Sequence, residues 1–150
     1  MQPESEPEIS TFRPDRTGIR TVLGDLEAEI MELVWARPAG QGVMVREIFE
    51  ILYERRHLAY TTVMNTMTRL ARKNLLRVEK AEQAYVYYPN FTQEEFISRF
   101  VGRILENLLV NFTGAALNEL HDLTTLPETQ ARQARHYLEE IRRRQQKENE

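Results

Sequence analysis

With 150 residues and 41% hydrophobic content, the chain suits one domain, or one small domain with an appendage, and is too apolar to be disordered throughout. The absence of cysteine excludes disulfides, thiolate metal sites and cysteine nucleophiles, and no apolar run reaches the ~18 residues a membrane span needs. A net charge of −3 argues against a nucleic-acid binder, but from Arg55 to Lys80 seven basic residues stand against one acid, Glu79, which is the asymmetry of an electrostatic footprint.

Residues 1–20 are rich in Pro, Glu and Ser and show no apolar period, so a flexible tail is expected. The opening MQPESEPEIS lacks the apolar core of a signal peptide, and a soluble, cytoplasmic protein is the expectation. In GDLEAEIMELVWAR, residues Leu26, Ile30, Leu33 and Val34 share one helical face, and PAGQG ends that helix. VREIFEILYERR sets Val45, Ile48, Phe49 and Leu52 on one side of a second helix, followed by a break at His57–Ala59.

A third helix is predicted over Tyr60–Lys73. Val63, Met67 and Leu70 form its inner stripe, and Thr62, Asn65, Thr66, Arg69 and Lys73 its outer one. Asn74 suits the left-handed conformation that often closes a helix. LLRVEKAEQAYVYYP reads as a β-hairpin stopped by Pro89, with Tyr85, Tyr87 and Tyr88 as strand packing.

The remainder reads as helical. Thr92 and Glu95 have capping-box spacing and open a helix through Phe96, Phe100, Ile104 and Leu108. TGAALNELHDL is a further helix or turn with Leu117 and Leu120 inward. Thr125 and Glu128 form a second capping-box pattern before a last helix carrying Ala131, Ala134, Leu138 and Ile141. The expected fold is mostly α (α+β). A winged helix-turn-helix over 21–91 is followed by a helical dimerisation region over 92–145 and a disordered tail over 146–150. In such a layout the third helix enters the DNA major groove and the hairpin, or wing, reaches the flanking backbone.

That layout accounts for the composition of the third helix. From Tyr60 to Asn74 it carries no carboxylate. Short hydrogen-bonding side chains and long cations suit base edges and phosphates, whereas a merely solvated face would favour Glu and Lys. The expected recognition surface is Thr61, Thr62, Asn65, Thr66 and Arg69, with Arg72, Lys73, Arg77 and Lys80 on phosphates. The apolar run Ile104, Leu105, Leu108, Leu109, Val110 and Phe112 exceeds what a small monomer covers, and a homodimer through the C-terminal helices is expected. Trp35 is expected in the core or a subunit contact.

The segments LGDLEAEIMELVW, LAYTTVMNTMTRLARKNLL and AYVYYPN, in this order, resemble the penicillinase-repressor family (the BlaI/MecI group, with copper-responsive CopY repressors as relatives). The resemblance is strong over residues 23–91 and continues to about residue 123. Its most specific part is the pattern of Thr62, Val63, Arg69, Leu70 and Lys73. It implies a winged-helix repressor of β-lactamase or other resistance and stress genes, dimeric on a near-palindromic operator. It also implies relief of repression when a membrane sensor system leads to cleavage at an Asn–Phe bond, here Asn111–Phe112. Where the family has Gly and a basic residue at the wing turn, this chain has Glu82 and Gln83, so a weaker hold on phosphate is expected. The copper branch's C-terminal cysteines are missing.

An enzyme is not expected: His57, His121 and His136 have no HExxH spacing, and no Ser or Cys nucleophile motif is present. No cofactor or metal is expected. The rival reading is a helical adaptor that does not bind DNA. It leaves the carboxylate-free stripe and the hairpin without explanation, and it would lack steeply salt-dependent retention on heparin or duplex DNA.

Overall fold

The structure is a computed structural model that describes residues 6–125 and 127–148. The chain divides into two compact units, Met1–Arg103 and Ile104–Glu150.

The first unit begins with three helices, α1 (Asp25–Trp35), α2 (Val45–Arg56) and α3 (Tyr60–Arg72), as the apolar periods predict. Gly24 opens α1 without a side-chain cap of its own. Its backbone N–H instead donates 3.0 Å to the Glu27 carboxylate, one turn in. His57 ends α2 at a left-handed φ of 53°. The Tyr60 ring packs edge-on against Phe49 with centroids 5.4 Å apart, which ties the start of α3 to α2.

The end of α3 is a Schellman motif. Asn74 takes φ 64°, its N–H donates 3.1 Å to the Ala71 carbonyl, and the Leu75 N–H donates 3.0 Å to that of Leu70. The chain then forms an antiparallel hairpin of β1 (Leu76–Ala81) and β2 (Ala84–Pro89), paired in register from Leu76–Pro89 to Ala81–Ala84. Its turn places Glu82 at φ 54°, a region that glycine enters more cheaply. Val43, ahead of α2, bridges Tyr87 through two backbone hydrogen bonds of 2.9 and 2.8 Å, so the hairpin is moored to the helices. Gly42 makes that approach feasible, because a Cβ there would lie 2.3 Å from the Val86 side chain.

The core of this unit joins all its elements. Ile30, Ile48, Leu52, Val63, Met67, Leu70 and Phe96 are each 0% exposed. Phe96 and Phe100 lie on α4 (Gln93–Asn111), which Thr92 and Glu95 open with both hydrogen bonds of the predicted capping box. Phe96 packs on Trp35 at 5.7 Å, and the Trp35 indole donates 2.9 Å to the Phe91 carbonyl. The first turns of α4 therefore belong to the first unit, and the boundary falls after Arg103 rather than at the expected 91–92. The reason is that Phe96 and Phe100 complete this core.

The stretch over 1–20, expected as a flexible tail, makes defined contacts from residue 6 onward; residues 1–5 lie outside the described residues. Pro7 is buried, the Glu8 N–H donates 2.8 Å to the Lys73 carbonyl, and Glu6 pairs with Arg99. Further on, the Arg13 guanidinium donates 2.6 Å to the Leu23 carbonyl, and Ile19 is buried in a 3-10 turn over Gly18–Thr21. Glu6 and Glu8 find their partners at Arg99 and Lys73, far along the sequence, which composition does not register.

The second unit contains the end of α4, then α5 (Thr113–Thr124) and α6 (Glu128–Glu148). No residue of α5 is buried. Leu117 and Leu120, expected inward, are 53% and 36% exposed. The second capping box is corrected too: the Thr125 hydroxyl donates 2.9 Å to the His121 carbonyl, closing α5 rather than opening α6. The last helix persists to Glu148 where a disordered tail was expected from 146; residues 149 and 150, like the side chains of Ala134 and Ile141, lie outside the described residues.

Candidate nucleic-acid interface

Helix α3 buries Val63, Met67 and Leu70 and thereby fixes which side chains face away from the core. Thr61, Asn65, Thr68 and Arg72, at i, i+4, i+7 and i+11, are all exposed, and so are Thr62, Met64 and Arg69 beside them. Thr66 belongs elsewhere. It is 2% exposed, and its hydroxyl donates 2.8 Å to the Thr62 carbonyl, so it cannot meet a base edge as expected. The apolar stripe is wider than Val63, Met67 and Leu70 alone suggest, and position 66 falls within it. Thr68 and Met64 are the residues that the sequence reading passed over. The 61–65–68–72 spacing, diametrically opposite the buried triplet, was the signal available for Thr68.

The basic cluster is sorted by partners that lie far off in sequence. Arg55 donates 3.3 Å to Glu29 of α1, and Arg56 pairs with the same carboxylate. Arg77 bonds Glu79 at 3.3 Å and stacks 4.8 Å above the Tyr88 ring. Lys73 Nζ lies 2.9 Å from one Glu27 oxygen and 3.3 Å from the other, with its side chain only 24% exposed. Lys73 is thus not the free phosphate contact expected of it, because a buried carboxylate of α1 already holds its charge. Among the described residues, no ion pair engages Arg69, Arg72 or Lys80. These three are the free cations of the segment, two on α3 and one on β1 of the hairpin.

The Glu27–Lys73 pair is electrostatically distinctive. Burial alone would push the Glu27 carboxyl up. Hydrogen bonds from Lys73 and from the Gly24 N–H, with the positive charges of Lys73 and Arg69, outweigh it and hold the carboxyl below its ordinary value of 4.5. One carboxylate therefore caps the start of α1 and clamps the end of α3.

The resulting surface is a carboxylate-free helix face with two free guanidiniums, beside a hairpin carrying one free ammonium. It offers hydrogen-bond donors and positive charge over a convex helix face. Among the described residues, no group of three His, Cys, Asp or Glu side chains could hold a metal ion, and no helix is long and apolar enough to cross a membrane.

Comparison with known proteins bears on this surface. The sequence pattern of the family described as Penicillinase repressor matches residues 23–140. The transcriptional regulator BlaI of Mycobacterium tuberculosis (strain ATCC 25618 / H37Rv) is 42% identical over 78 residues, covering 52% of this chain and 55% of that protein. The chain thus spans about half the length of that relative. The penicillinase repressor of Bacillus licheniformis is 24% identical over 115 residues, covering 67% of this chain and 88% of that one. Among solved structures, that of the DNA binding domain of the repressor BlaI matches with a TM-score of 0.44 and 24% identity over 50% of this chain and 88% of that one.

Proposed function

The chain belongs to the penicillinase repressor family, and on that footing we propose that it is a transcriptional repressor that binds duplex DNA through α3 and the hairpin as a homodimer. The observation that carries the reading is the outward face of α3. Thr61, Thr62, Asn65, Thr68, Arg69 and Arg72 stand free of carboxylates on a helix held rigidly by its buried side. Arg69 is assigned to a base edge, and Arg72 and Lys80 to phosphates. Arg77 contributes to the positive field of the hairpin base while its guanidinium remains engaged by Glu79 and the Pro89 carbonyl.

Two measurements test this. Arg69→Ala should weaken binding to the preferred duplex by about 1–3 kcal/mol while leaving the melting transition in place. The salt dependence of the parent should be shallow for so basic a segment. With Arg72 and Lys80 of each protomer on phosphates, a dimer neutralises about four, so log K should fall against log salt with a slope of about −3.6. Arg69→Ala binding like the parent would show that the wrong face was chosen, and a slope near zero would favour the adaptor reading.

The family resemblance also suggests how repression ends. Asn111 is the last residue of α4, and Phe112, 62% exposed, is the single residue between α4 and α5. The Asn111–Phe112 bond joins two helices, and its cleavage by a sensor-linked protease would detach α5 and α6 from the DNA-binding unit. Expressed beside its cognate sensor and challenged with a β-lactam, the chain should yield a fragment ending at Asn111. Release from DNA with the chain intact would refute cleavage as the signal. Control of antibiotic-resistance or stress genes is part of the same reading.

A further inference from the structure

The outward face of α3 is less polar than its sequence suggests. Met64 is 38% exposed, although the core of this helix is already filled by Val63, Met67 and Leu70 at 0%. Four residues on, Thr68 is exposed, but its hydroxyl donates 2.9 Å to the Met64 carbonyl. That bond commits the hydroxyl proton, so the Thr68 side chain can meet a partner only through its methyl or as a hydrogen-bond acceptor. Residues four apart are neighbours on a helix, so the two methyl groups form one small apolar spot. It borders a stripe made of Thr61, Asn65, Arg69 and Arg72.

An apolar spot at the edge of a row of polar donors needs an apolar partner to be worth presenting. The major groove of duplex DNA offers one such group on the base edges, the C5 methyl of thymine. We propose that Met64 and Thr68 are specificity-determining residues that select thymine within each half-site by methyl-to-methyl contact. The inference rests on the reading of α3 as the helix that enters the major groove, and it adds a base preference that hydrogen bonding from Asn65 or Arg69 does not supply.

The test starts from the duplex that the intact chain enriches from a random-sequence pool. Each thymidine of that duplex is then replaced singly by 2′-deoxyuridine, which removes the methyl and keeps every hydrogen-bonding group. At one or two thymines per half-site the affinity should fall about fourfold, the worth of one buried methyl. Met64→Ala should abolish the sensitivity at one of these positions. Thr68→Ser, which keeps the hydroxyl and loses only the methyl, should abolish it at the same or the adjacent one. Melting curves of both variants should match the parent. Uniform tolerance of deoxyuridine, or sensitivities unchanged in both variants, overturns the inference while leaving DNA binding intact. A chain that enriches no duplex overturns the reading of α3 itself.

Discussion

Replacing Lys73 by methionine should destabilise the fold by about 2–3 kcal/mol, more than any substitution on the outward face of α3. The methionine keeps the aliphatic stem and removes the one cation paired with Glu27 among the described residues; Glu27 is 7% exposed. A buried carboxylate left without its partner costs about 3–5 kcal/mol. The expected value falls at or just below that range because the Lys73 side chain reaches partly into solvent and the Gly24 N–H still bonds the carboxylate. Glu27→Gln in the same chain should return part of the loss by removing the stranded charge, and the double-mutant cycle measures the coupling. The effect has a pH signature. The folded-state carboxyl of Glu27 sits below its ordinary value of 4.5, so ionised Glu27 contributes stability that is complete above that value. The contribution is lost as the pH falls through the depressed folded value, and the Lys73→Met penalty should shrink with it. Urea titrations of parent and variants at neutral pH and at stepwise lower pH check this. A penalty independent of pH, or a Lys73→Met variant as stable as the parent but with a flattened salt dependence on DNA, would return Lys73 to the phosphates.

The largest effect on function is expected from the second unit. Leu105→Asp with Leu108→Asp should convert a dimer to a monomer and lower affinity for a two-half-site duplex by about 100-fold or more, the typical gain from linking two binding modules. Leu105 and Leu108 on α4 are 43% and 42% exposed, Val110 and Phe112 72% and 62%, and Leu123 on α5 66%. Ile104 and Leu109 are half-buried between them. So many large apolar side chains in water are unusual, and in the proposed dimer a second copy of the same helices would cover them symmetrically. A two-fold pair would also set two α3 helices about 34 Å apart, one turn of duplex. Sedimentation of parent and variant, with binding to one- and two-half-site duplexes, decides the matter. A parent that sediments as a monomer and still binds the two-half-site duplex tightly would defeat the proposal. The melting of the first unit should be unchanged, since the buried side chains of its core, Phe96 and Phe100 among them, are left in place.

The sequence by itself determined what short-range physics controls. The 3.6-residue apolar period gave the order and extent of α1, α2 and α3, and Thr92 with Glu95 announced the start of α4. Asn74 marked the left-handed close of α3, and Pro89 the end of the second strand, because each acts on its own backbone. Tertiary structure decided which side chains of those elements remain available. Whether position 66 faces inward depends on how wide a stripe α1, α2 and the hairpin cover, and that width is not written in α3. Whether a cation is free depends on carboxylates 26 and 46 residues away, as Arg55 with Glu29 and Lys73 with Glu27 demonstrate. Local charge counting sums these groups as equals. Desolvation and pairing across the core separate them, leaving Arg69, Arg72 and Lys80 without an ion-pair partner among the described residues.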